Sequence, residues 1–246
     1  MKIFALYNLK GGVGKTASSV NLAFLSAQEN LRTLLWDLDP QGAATYYYDL
    51  TPRLVGGAER LLSRRARLQS FAQFTQYSNL EMIPADLSNR NMDLLLDDQW
   101  RSSDRFDKML KGLKSDYDVV FIDCPPVLSV LAEHLFRAAD YVLFPTVPTT
   151  LSERAFAQVV EFFGKFRFQQ DKIIPFFSMV DERRMLHRKT IGSFSNTYQQ
   201  VLQHAIPNAD EVELMGEHQA PIFTYADHSE AAQAYRHLWE EIKALP

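Results

Sequence analysis

Leu9-Lys10-Gly11-Gly12-Val13-Gly14-Lys15-Thr16 stands between two segments of different periodicity. Before it, Ile3-Phe4-Ala5-Leu6-Tyr7 has the length and composition of a buried strand. After it, Ala17 to Gln28 repeats apolar residues at Val20, Ala23, Phe24 and Ala27, the spacing of a helix. A glycine loop leading from a strand into a helix is suited to phosphate. Glycine permits backbone torsions and close approaches that a side chain forbids, so successive N–H groups converge on phosphate oxygens where the helix dipole is positive. Lys15 would reach the β- and γ-phosphates as a mobile charge, and the Thr16 hydroxyl would ligate the Mg²⁺ bridging them.

Reading outward, strand and helix patterns alternate, which predicts an α/β fold: a doubly wound, mostly parallel sheet with helices on both faces. Arg32 to Trp36 reads as a second strand, ending at Asp37-Leu38-Asp39-Pro40-Gln41. Further strands are predicted at Leu80 to Ile83, Val119 to Ile122, Tyr141 to Phe144 and Ile173 to Val180. Helices are predicted over Ser88 to Leu96, Phe106 to Leu113, Ser152 to Phe166 with Ser152 as cap, from the basic run Arg183–Lys189 to about His204, and over Ser229 to Ala244. Residues 42–79, with Arg60, Arg64, Arg65 and Arg67, receive no close assignment. Open α/β sheets bind ligands at the carboxyl ends of their strands. Three strands deliver the glycine loop, Asp37 with Asp39, and Asp123 to that edge, and Asp123 after an apolar strand reads as a magnesium-holding carboxylate.

The 246 residues are 46% hydrophobic and 23% charged, which excludes disordered and fibrous classes and favours one domain over 1–246. Net charge of −4 argues against a wholly basic nucleic-acid binder but leaves room for a local patch. A single cysteine, Cys124, excludes an internal disulfide and fits a reducing cytoplasm; beside a strand it reads as a small packing residue. No secretory leader is expected at the N-terminus and no apolar run reaches membrane-span length. Tyr46-Tyr47-Tyr48 reads as packing aromatics, and the histidines show no metal-ligand spacing.

The generic phosphate loop carries a glycine where this chain has Leu9. Lys10-Gly11-Gly12-Val13-Gly14-Lys15-Thr16 instead resembles the deviant Walker A box of the ParA/MinD ATPases, with its additional leading lysine. Asp37-x-Asp39-Pro40-Gln41 resembles that family's Walker A′ box. Ile122-Asp123-Cys124-Pro125-Pro126 resembles its switch segment, and Ile206-Pro207-Asn208 its adenine-contacting stretch. The resemblance implies ATP and Mg²⁺ as ligands, held by Lys10 through Ala17 and by Pro207 and Asn208, with Thr16, Asp37 and Asp123 at the metal. It makes Asp39 the residue that orients the attacking water and sends Lys10 across a homodimer interface to the partner's nucleotide. Ala17 departs from the hydroxyl residue common there.

The same resemblance implies a slow, partner-stimulated ATPase in the cytoplasm, associated with the nucleoid when ATP-bound. Arg183 falls where partitioning relatives place a DNA-contacting arginine, and Arg184, Arg188 and Lys189 could extend a non-specific phosphate-binding patch. Two other functions share the loop: a metabolic synthetase of the dethiobiotin or cobyrinate type, and a MinD-like membrane-positioning switch. Against the latter, the last helix gathers Tyr235, Leu238, Trp239 and Ile242 on one face like a packing helix, so no membrane contact is expected.

Overall fold

The computed structural model describes residues 1–63, 66–100 and 105–246. Seven strands form one sheet: β1 (Lys2–Leu6), β2 (Thr33–Asp37), β3 (Gln73–Phe74), β4 (Leu80–Ile83), β5 (Val119–Asp123), β6 (Tyr141–Thr146) and β7 (Ile173–Phe177). Their order is β3-β4-β2-β5-β1-β6-β7, and every pairing is parallel except β3 with β4. Parallel sheets are covered on both faces, which is why these strands read as continuous apolar runs. The period of two then sorts the side chains. Ile3, Ala5, Tyr7, Val120 and Ile122 enter one core, and Phe4, Leu6, Val119 and Phe121 the other.

The first core is closed by helices that include Val130–Ala138 and Thr150–Lys165, through Leu135, Phe136, Phe156 and Phe163. The second holds helix Lys15–Gln28, buried along nearly its whole length between the sheet and helix Glu230–Lys243. In that last helix the Ser229 hydroxyl accepts from Ala232 N at 3.2 Å as a cap, and Tyr235, Leu238, Trp239 and Ile242 are all buried. Its apolar face is therefore consumed by packing, as the residue spacing predicts. Tyr48 is also buried, donating to Val20 O at 2.8 Å, whereas Tyr46 is half exposed.

Several predicted boundaries are corrected. The helix of the basic run spans Met185–Thr197, starting inside that run and ending well short of His204. Beyond it the chain returns along the free edge of β7, where Leu202 N donates to Pro175 O and Ile206 N to Phe177 O, both at 2.9 Å. An edge strand leaves backbone groups open, and this extended segment satisfies two of them. β7 itself stops at Phe177 instead of Val180, because Met179 takes a left-handed φ of 54°. The helix expected from Ser152 begins at Thr150, so Ser152 lies buried in its first turn. Ser88 falls in a 3-10 turn, Leu87–Asn91, ahead of helix Met92–Trp100. The Phe106–Leu113 helix becomes Arg105–Lys111 followed by a 3-10 turn, Gly112–Ser115. In the region without close assignment the chain forms short helices Ala43–Tyr47 and Gly57–Leu61, a 3-10 turn Leu68–Phe71, and β3. Arg64 and Arg65 lie outside the described residues.

Candidate nucleotide site

The strand registers bring the chemistry together. Leu6 of β1 and Asp37 of β2 both align with Asp123 of β5, so the glycine loop and two carboxylates leave one sheet edge side by side. Gly12 and Gly14 have φ of +68° and +84°, the left-handed region in which a side chain is strained. At Gly14 a Cβ would also stand 2.7 Å from Ser178 Oγ, so glycine is required there twice over. Asn8, a buried residue that sequence reasoning passed over, staples the loop. Its Oδ1 accepts from Lys10 N at 2.9 Å and its Nδ2 donates to Pro145 O at 2.7 Å.

Lys15 begins the helix, buried, with its ammonium donating to Lys10 O at 3.0 Å across the concavity of the loop. Burial lowers its pKa, opposed by the charges of Asp123 and Asp39. Asp123 is buried with Oδ1 accepting from Ser19 Oγ at 3.1 Å, while Oδ2 has no hydrogen-bond partner. Burial raises its pKa, and the Thr16 and Ser19 hydroxyls beside it, with the Lys15 charge, pull it back. A buried carboxylate oxygen left open next to a threonine hydroxyl is an uncompensated acceptor, and a hard cation with oxygen ligands satisfies it. The donor set thus fits Mg²⁺. Ser19, invisible as a site residue in the sequence, is one turn after Lys15 and could be found only from that spacing.

Asp37 is more tightly held. Its Oδ2 accepts from Thr45 N at 2.9 Å and Thr45 Oγ1 at 2.7 Å, and its Oδ1 accepts from Asp39 N at 3.2 Å. Burial and then the neighbouring Asp123 push its pKa up. Thr45 Oγ1 in turn accepts from Ala85 N at 2.8 Å, tying the end of β2 to that of β4. Asp39 lies just beyond the strand, half-buried, with Oδ1 accepting from Gln41 N at 2.9 Å.

Lys10 folds back over its own chain, its ammonium 3.4 Å from Ser152 Oγ, which is itself 3.0 Å from Thr149 Oγ1. Ala17 is buried in the first helical turn. Pro207 bridges Val180, and Asn208 N donates to Val180 O at 2.9 Å. Both line a cavity of about 320 Å³ beside Asp181 and Arg183. Ser178, whose hydroxyl limits Gly14, is two residues before Val180 of this cavity's lining. Arg183 donates to Asp181 Oδ1 at 2.9 Å, and that contact holds the Asp181 carboxyl below its ordinary range. The Arg188 guanidinium donates to Glu182 O, and Arg184, Arg188 and Lys189 are exposed. Cys124 is buried and its thiol pushed upward by burial, as a packing residue should be.

A glycine loop after β1, acids at the ends of β2 and β5, and a doubly wound mostly parallel sheet define a P-loop nucleotide-binding protein. The family profile described as AAA domain matches residues 1–175. The chain is 30% identical over 250 residues to the chromosome-partitioning ATPase Soj of Treponema pallidum (strain Nichols), covering 99% of this chain and 97% of that one. It is similar to the ATP complex of McdA from Cyanothece, with a TM-score of 0.83, 19% identity and coverage of 100% and 98% of the two chains. It is likewise similar to cobyrinic acid a,c-diamide synthase from Mycobacterium smegmatis with a bound ATP analogue and magnesium, with a TM-score of 0.83, 24% identity and coverage of 99% and 94%. The chain belongs to the AAA-domain family, among its ParA/MinD-type members.

Proposed function

We propose that this chain, acting as a single P-loop unit, is a ParA-like ATPase whose nucleotide state switches it between a free form and a homodimer bound to DNA. The observation that supports this most is the convergence on one sheet edge of the Lys10-headed loop, Asp39 and a buried Asp123 whose Oδ2 lacks a partner. ATP would take the place that Lys15 now spans when it donates to Lys10 O, the ammonium turning to the β- and γ-phosphates. The N–H groups from Gly11 to Ala17 would cradle the phosphates, and Pro207 and Asn208 would border the base in the cavity that they line. Thr16 and Asp123 would hold Mg²⁺, with Asp37 supporting from behind. The ion would supply neutralisation of charge on the phosphate oxygens.

Hydrolysis forms a bond from a water oxygen to the γ-phosphorus and breaks the bond to the β-phosphate oxygen. Asp39 would orient that water and receive its proton through the carboxylate oxygen not engaged by Gln41 N. Lys10 of the opposing subunit would neutralise charge on the transferred group, so turnover should be slow until an adaptor or stimulating protein completes the pair. Arg183, Arg184, Arg188 and Lys189 would give salt-sensitive, sequence-independent DNA contacts. Dimerisation doubles that patch and gates it by avidity, drawing the ATP form to the nucleoid. The cargo would be a plasmid, a chromosome or a protein assembly.

Light scattering and a gel shift on the same samples test the reading. With ATP and Mg²⁺ the protein should dimerise and retard duplex DNA, and with ADP it should do neither. Lys15→Ala should abolish both, Asp39→Ala should retain dimer without turnover, and Arg184→Ala with Arg188→Ala should lose DNA alone. Nucleotide-independent monomers that turn over with a small carboxylic acid and ignore DNA would assign a synthetase instead. Co-sedimentation with liposomes in ATP would assign a membrane switch.

A further inference from the structure

Helix Met185–Thr197 has two faces of opposite character. His187, Thr190 and Phe194 are buried, and His187 Nδ1 accepts from Asp181 N at 3.1 Å, which fixes how the helix starts. The other face carries Met185, Arg188, Lys189 and Gly192, spaced three or four residues apart, with Leu186 at its margin. Met185 is 76% exposed and Leu186 50%, so two large apolar side chains stand next to each other at the helix tip, largely uncovered. Burial is the ordinary use of such residues.

Their surroundings are cationic. The helix contains no aspartate or glutamate, in a chain of net charge −4. Arg184, Arg188 and Lys189 are exposed, and among the described residues none of the three is within ion-pair distance of a carboxylate. Asp181 is taken by Arg183 at 2.9 Å, and Glu182 offers Arg188 only its main-chain oxygen. Gly192 is a separate sign of an outside contact. Glycine weakens a helix interior, yet a Cβ there would meet nothing within 4 Å, so no neighbour in the chain demands it. The missing side chain lets the helix backbone come close to another surface.

We propose that Met185 and Leu186 form a wedge that enters between base pairs of duplex DNA from the minor groove, while Arg184, Arg188 and Lys189 hold the phosphates on either side. This wedge deepens the proposed DNA-bound state and rests on it. Charge and apolar character together select the occupant. Contact with the backbone alone would leave methionine and leucine against phosphates and water, whereas an opened base step gives them an apolar slot. A bilayer also combines anionic groups with apolar depth. Two side chains are too few for it, since one whole acyl chain gives only marginal attachment. Opening costs least at pyrimidine–purine steps such as TA, which unstack easily. The wedge therefore bends the duplex and adds a preference for flexible steps to phosphate contacts that ignore sequence.

The probes are two duplexes of about 24 base pairs with donor and acceptor dyes at their ends, one with central TA steps and one of the same composition without them. With ATP and Mg²⁺ the full chain should raise energy transfer between the ends, more strongly on the TA duplex. Met185→Ala with Leu186→Ala should abolish that rise and weaken binding about tenfold, with circular dichroism unchanged. The slope of log affinity against log salt should be kept in that variant, because the phosphate contacts remain. Wild-type binding without a rise in transfer, equal bending by the double variant, or equal response of the two duplexes would each overturn the wedge and leave the ATPase reading standing. Failure of the wild type to hold either duplex in ATP would remove both. Retention of the ATP form on phosphatidylglycerol vesicles, lost in the double variant, would overturn the wedge by assigning the tip to a membrane.

Discussion

Thr45→Val tests whether the carboxylate cluster is held by the strut from β2 to β4. Valine matches threonine in shape, so packing is kept and only the hydroxyl is lost. That hydroxyl donates to Asp37 Oδ2 at 2.7 Å and accepts from Ala85 N at 2.8 Å, and Thr45 is fully buried. Removing the bond to the carboxyl costs about 1–2 kcal/mol, towards the upper figure as Asp37 ionises, and orphaning the Ala85 N–H costs about 1–3 kcal/mol. Burial of the added methyl returns less than about 1 kcal/mol. The net loss should be about 2–4 kcal/mol, or roughly 4–16 °C in Tm for a chain of this size. Urea denaturation by circular dichroism reads it as a lower midpoint at unchanged slope. The loss should be larger above neutrality than near pH 5, since the bond is stronger to a carboxylate than to a carboxylic acid. A loss under about 1 kcal/mol at both pH values would refute the strut.

The two buried acids set a pH dependence of unusual sign. Both Asp37 and Asp123 are raised by burial, so the folded state keeps protons that the unfolded state releases above about pH 4. Their contribution to stability is complete below that pH and is lost as pH rises through the elevated values, and Asp37→Asn should flatten that fall in denaturant melts. By the same argument, Mg²⁺ with nucleotide should displace protons. Calorimetry in buffers of different ionisation enthalpy should show net proton release on binding, which Asp123→Asn diminishes. Gly14→Ala should abolish nucleotide binding and destabilise the fold by a few kcal/mol, because φ of +84° and the 2.7 Å approach to Ser178 Oγ act together. Pairing it with Ser178→Gly should recover only part of the thermal stability. Ser152→Ala removes the contact that holds the Lys10 ammonium on its own subunit, and should increase ATP-dependent dimer formation in light scattering, with Lys10→Ala cancelling the gain.

Local features made most of the fold and the core of the site legible. Most strands of the parallel sheet are apolar runs closed by Asp or Pro, as at Asp37, Pro84, Asp123 and Pro145, so their existence, and that of the loop between β1 and its helix, follows from neighbouring residues alone. Lys10, Lys15, Thr16, Asp39 and Asp123 stand out because each falls at a fixed offset from such a boundary. Boundaries set by distant partners were not legible in the same way. The helix from Met185 stops at Thr197 because Leu202 and Ile206 are drawn to the edge of β7, and nothing between residues 198 and 206 announces that edge.

Residue types, periodicity and short-range spacing therefore determined the sheet, its phosphate loop and the acids that face it, since these depend on contacts within a few residues. Tertiary structure alone decided which groups support them. Asn8, Ser19 and Thr45 act through Pro145, Asp123 and Ala85. Such pairings are set by strand register and helix packing, which bring together residues whose separation along the chain carries no local signal.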